Sequence, residues 1–178
     1  DYDAKSLVSL RREAAQTRDS FASLAAVLEA RAAPFAGTSL PDEPADYFPL
    51  FRDAGLDAGT EGIALANSDG FVEVWYGDVL SLSDQIADRA DLERVKAGGS
   101  AFLIRNEAGT TYYLTLLQPL GDGGRMLAHF ARLAFVPQVR SSYINEYHAI
   151  RPAGRSESDI SYYDFRESVE GFDRFFAL

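Results

Sequence analysis

The chain has 178 residues, 47% of them hydrophobic and 12% aromatic, which suits one domain with an appendage and excludes general disorder. Its net charge of -10 argues against a nucleic-acid partner and against docking on anionic lipid through a basic face. It has no cysteine, so disulfides, thiolate zinc and thiol catalysis are all excluded.

From the N-terminus, Leu7, Leu10, Ala14, Thr17, Phe21, Leu24 and Leu28 recur at spacings of three and four. That stripe predicts a long helix, uninterrupted until Pro34. Its Phe21–Leu28 half is expected to pack on a sheet, and the earlier half either to continue that packing or to act as a stalk that pairs with a second copy. Pro34, Gly37, Pro41 and Pro44 then mark a loop. Asp46 to Leu56 reads as a short helix with Pro49 in its first turn, where a missing N–H costs least.

Residues 62–77, GIALANSDGFVEVWYG, hold two apolar runs about Asn67-Ser68-Asp69-Gly70. An Asp-Gly pair between such runs is a hairpin signal, because the tight turn needs residues that tolerate positive φ. Leu80 to Ala97 carries helical spacing and predicts an insert between strands two and three, capped at Ser83 and stopped at Gly98-Gly99. Ala101–Asn106, Thr110–Gln118 and Arg125–Leu133 read as strands three to five. Strand four is apolar on both faces and should be covered on both sides. In strand five Met126, Ala128 and Phe130 should face one way, and Arg125, Leu127, His129 and Ala131 the other. The tail from 139 is rich in Tyr and Phe, and 164–178 reads as a strand followed by a helix.

The expected fold is therefore α+β: a five-stranded antiparallel sheet, a long N-terminal helix, and a helical insert between strands two and three. The chain divides into the helix at 1–33, a core at 34–138 and an extension at 139–178. It contains no run of about 18 apolar residues, and its start at Asp1 reads as that of an excised fragment.

No catalytic constellation emerges. With two histidines, His129 and His148, and no cysteine, a metal site would depend on carboxylates, and no cofactor is expected. Gly121-Asp122-Gly123-Gly124 lacks the Lys and Ser/Thr of a phosphate loop and reads as a turn. His129 reads as a core or pocket-wall histidine, with a catalytic base as the alternative. Trp75 and Tyr76 read as core or as an aromatic pocket wall. On the pocket reading Tyr112 or Tyr113, Arg105, Arg125 and His129 would turn polar tips toward the inserted helix. Two arginines near a pocket in an acidic chain would favour a carboxylate or similar anion.

The order of these elements, and the rhythm "G-apolar-apolar … D-G … W-x-G" of residues 62–77, resembles the PAS-like extracytoplasmic sensor domains of bacterial transmembrane receptors, also called PDC or Cache domains. The similarity covers about residues 7–135. It implies a non-enzymatic signal-input domain of a two-component histidine kinase, periplasmic and membrane-anchored in the full-length protein. It also implies a homodimer joined through the N-terminal helices and a small molecule held on one face of the sheet, with Trp75, Tyr76, Arg105, Tyr113, Arg125 and His129 as candidate contacts. The alternatives are a cytoplasmic PAS- or GAF-type module that binds a ligand or mediates dimerisation, and an enzyme working through His129.

Overall fold

The computed structural model describes residues 2–36, 41–79, 85–107, 110–121, 124–135 and 147–149. Five strands form an antiparallel sheet with a long helix before it, as the hydrophobic pattern predicts. Helix α1 runs Tyr2–Ala32, about 46 Å at 1.5 Å per residue, and ends in a 3-10 turn at Ala33–Phe35 where Pro34 enters. A short helix α2, Tyr47–Arg52, precedes strands β1, Glu61–Ala66, and β2, Val72–Gly77. Helix α3, Arg89–Lys96, follows, and then β3, Ala101–Glu107, β4, Thr111–Leu120, and β5, Arg125–Phe135. The sheet order is β2-β1-β5-β4-β3, with a two-residue strand β6, Tyr147–His148, added beside β5.

Several boundaries differ from expectation. Strand β4 continues through Pro119, which is tolerated because β3 stops opposite Leu117 and only one ladder is at stake there. The second helix ends at Arg52 rather than Leu56. Helix α3 starts later than Ser83, which lies outside the described residues. Its N-cap is Asp88, whose carboxylate accepts a 2.9 Å bond from the Asp91 N–H. The strand and helix expected at 164–178 also lie outside the described residues.

Both faces of the sheet are covered. On one, Ile63, Leu65, Leu114, Leu116, Leu127 and Leu133 pack under Leu28 and Ala32 of α1, Phe35, and Tyr47 and Phe51 of α2. On the other, Ala64, Ala66, Leu117, Met126, Ala128 and Phe130 pack under Ile86, Ala87, Leu92 and Val95 from α3 and the segment before it. Strand alternation sorts β5 as its sequence predicts, and the apolar β4 does contribute to both layers. Burial deepens along α1: Ala14 is exposed, Phe21 and Leu24 are half-buried, and Leu28 is fully buried.

Candidate functional site

The sheet splits the six candidate residues between its faces. Trp75, Arg105 and Tyr113 lie on the α3 side; Tyr76, Arg125 and His129 lie on the side of α1 and α2. Arg105 and Arg125 therefore do not converge on one pocket. Tyr76 packs its ring edge-to-face with Phe48 at 5.7 Å. Arg125 donates to the Asp42 carbonyl at 2.7 Å and approaches Glu73 at 3.4 Å. Trp75 is 43% exposed on the edge strand β2, opposite the small Ala64.

On the α3 side the geometry builds a polar cluster at the end of the sheet. Gly62 and Gly77 sit opposite one another where β1 begins and β2 ends. A Cβ on Gly77, at φ +83, would lie 2.3 Å from the Glu61 carbonyl oxygen; one on Gly62 would lie 2.1 Å from that of Asp78. This close crossing lets the Asp78 N–H donate to the Glu61 carbonyl at 2.8 Å. Beyond the start of β1, Asp78 meets the flank of β5.

There the Asp78 carboxylate pairs with the Arg132 guanidinium at 2.7 Å and accepts a 3.3 Å bond from the Tyr113 hydroxyl. Tyr113 and Arg132 are register partners on β4 and β5, and Phe130 packs edge-to-face on the Tyr113 ring at 6.2 Å. Burial, with the Asp78 charge beside it, pushes the Tyr113 phenol well above its usual range, so it stays a donor. Burial works against the charge of Arg132, but the Asp78 carboxylate outweighs it and holds the guanidinium above its ordinary pKa.

The cluster keeps unspent hydrogen-bonding capacity. The Asp78 Oδ2 atom is held by the Arg132 ion pair and has no further hydrogen-bond partner among the described residues. Arg132 Nε is also buried without a hydrogen-bond partner among the described residues. Two residues along β4 on the same face, the Thr115 hydroxyl is fully buried and has no hydrogen-bond partner among the described residues. Arg105, opposite Tyr113 on β3, donates to the Gln85 carbonyl at 3.3 Å and ties the segment before α3 to the sheet.

Neither Asp78, Arg132 nor Thr115 was singled out from sequence. The available signal was an arginine inside the apolar run Ala131–Phe135, since a charge held in a covered strand must find a partner.

On the opposite face His129 is fully buried, its ring lying against the Leu28 backbone, and neither ring nitrogen makes a well-aligned hydrogen bond among the described residues. Burial, then the nearby Arg31 charge, lowers its pKa to about 4, with the Leu28 backbone pulling the other way. The imidazole is neutral at pH 7. Among the described residues no group of three or more His, Asp or Glu side chains is placed to hold a metal ion. No helix among them is long and apolar enough to cross a membrane.

No protein-family model matches the chain, and no solved structure matches it.

Proposed function

We propose that this chain is the signal-input domain of a transmembrane receptor, of the PAS-like extracytoplasmic kind found in two-component histidine kinases. On this reading it takes a small polar ligand between the sheet and α3. The observation that carries the reading is the Asp78–Tyr113–Arg132 cluster on the α3 side, beside a buried Thr115 hydroxyl that has no hydrogen-bond partner among the described residues. Buried polar groups are normally satisfied, so unspent donors and acceptors on one covered face invite a polar guest. The element order, from long helix through hairpin and α3 to three antiparallel strands, supports the same class.

A carboxylate or similar anion remains the ligand class of choice, with Arg132 rather than Arg105 or Arg125 as its main contact. Arg132 Nε has no hydrogen-bond partner among the described residues, and the Tyr113 and Thr115 hydroxyls lie on the same face. Asp78 already balances the guanidinium charge, so the ligand would also offer Asp78 a donor. That favours a hydroxy or amino acid over a bare anion. No catalysis is assigned.

The test is a thermal-shift screen of the 178-residue chain against carboxylic, hydroxy and amino acids. A ligand at about 100 times its Kd adds roughly 2.7 kcal/mol, several degrees in a domain this size. A hit that disappears in Arg132→Met or Asp78→Asn supports the site. A hit unchanged in both variants puts the ligand elsewhere, and a flat screen removes the ligand-binding half of the proposal.

A second reading, a dimerisation module with no ligand, draws on α1. Its described side chains before Phe21 are exposed or half-buried, so this half of the helix has a face to offer a second copy.

A further inference from the structure

We infer that His129, Arg31 and Glu61 form an acid-released latch that holds the C-terminal third of α1 against the sheet. Arg31 lies in the last turn of α1 and pairs with Glu61 of β1, whose carboxylate also accepts from the Asp57 N–H at 3.2 Å. Glu61 is opposite Ala131 on β5 and His129 is opposite Ile63, so Glu61 and His129 are diagonal neighbours on one face. Such pairs lie about 7–8 Å apart, within reach of a long side chain bridging them from above. Leu28, one turn earlier on α1, is fully buried over the same face. Gln118 of β4 donates to the Ala32 carbonyl at 3.2 Å and pins the end of the helix.

The groups facing the imidazole decide what a proton would do. From α1 come the Arg31 cation and the Leu28 backbone, whose hydrogen bond is a smaller influence that favours the charged ring, and from β1 comes the Glu61 anion that Arg31 already uses. The β4 neighbours Leu116 and Gln118 are uncharged, and α2 contributes the Tyr47 side chain to the same core. A neutral ring is tolerated among Leu and Ile side chains. An imidazolium there has no dedicated counter-ion and lies beside an arginine. Lifting the end of α1 relieves both penalties, because it lets water reach the ring and carries Arg31 away. The sheet has no need to open, since β5 is paired to β1 over Met126–Ala131 and to β4 from Arg125 to Phe135.

This favours opening in acid: the closed state holds the His129 pKa near 4, while a ring exposed to water titrates near 6.5. Opening therefore binds a proton, and the open population rises as pH falls from 6.5 toward 4, by roughly a hundredfold. Glu61 also accepts the Asp78 N–H on its carbonyl, so the latch and the candidate ligand site share one residue. The inference stands on this chain's packing and does not depend on a ligand being found.

The test uses hydrogen exchange of the 178-residue chain between pH 7 and 4, corrected for the intrinsic pH dependence of exchange, with imidazole titration followed by NMR. His148→Gln assigns the His129 signal. The expected result is loss of protection at residues 21–32 by roughly a hundredfold as pH falls, while β4 and β5 amides stay protected. His129→Leu should abolish that loss. Arg31→Met removes the cation and frees Glu61, so it should move the His129 titration to higher pH; this arm stands if His129→Leu fails to fold. Equal loss in wild type and His129→Leu overturns the latch, as does titration of His129 above pH 6 in the wild type, or a titration that Arg31→Met leaves in place.

Discussion

Two glycines fix where the Asp78 carboxylate goes. Gly77 combines a φ of +83 with backbone 2.3 Å from a would-be Cβ, so Gly77→Ala suffers both conformational strain and overlap. A loss of about 2 kcal/mol or more is expected, a fall in Tm of roughly 4–8 °C at this chain length. A Tm within a degree of wild type in thermal denaturation would refute the close crossing of β1 and β2. His129 makes a separate prediction about pH. Its folded pKa lies below the unfolded value, so its neutral burial costs nothing above pH 6.5. As pH falls from 6.5 toward 4 the unfolded chain takes up the proton first, and up to roughly 3 kcal/mol of stability is withdrawn. Below that window the effect is flat. Urea titrations of wild type and His129→Leu at pH 7 and pH 4.5 isolate it from the many carboxylates. The wild type should lose more stability than the variant, and equal losses would mean that the ring is not buried neutral.

At the scale of elements, α1 is attached by its last three turns. Leu28 is fully buried between the helix and the sheet, and Leu28→Ala should cost about 2–5 kcal/mol. Val8→Ala, at a side chain 68% exposed, should fall within about 0.5 kcal/mol of wild type. Equal effects in chemical denaturation would show that the helix docks differently. The stripe that made α1 legible was its three-four spacing, and the alternation of β5 and the two-faced apolarity of β4 were as plain. The α3 cap was not, because Ser83 and Asp88 are both good caps and only the depth of Ile86 and Ala87 in the core decides between them. The candidate site was half legible for a related reason. Alternation assigns faces within one strand, but whether Arg105 and Arg125 share a face depends on register across β3, β4 and β5. Arg105 pairs with Tyr113 and Arg125 with Leu120, an odd number of positions apart on β4, so they face opposite sides, and no local pattern announces that pairing.

At the scale of the whole molecule, the sheet stands between two polar groups that share one strand. Asp78, Tyr113 and Arg132 lie toward α3, His129 with Arg31 and Glu61 lies toward α1, and β5 carries both Arg132 and His129. A shift of Arg132 on binding would reach His129 three residues away on the same strand, which would give the proposed signal-input domain a short route from ligand to helix. For that route to have an output, α1 must act on something, and a second copy is the proposed partner. The sequence spacing puts Leu7, Leu10, Ala14 and Thr17 on the stripe proposed as its seam, with Arg11, Arg12 and Arg18 off it. Two leucines with two weak residues make a marginal seam, so association is expected in the micromolar range or weaker for the isolated chain. Sedimentation equilibrium should then show a concentration-dependent dimer that Leu10→Asp returns to monomer while Tm measured on the dilute monomer stays put. A chain that remains monomeric at millimolar concentration would rule out α1 as a self-sufficient dimer seam. A dimer indifferent to Leu10→Asp would move the interface off that stripe, toward the exposed Phe48, Leu50 and Trp75 on and around the edge strand β2.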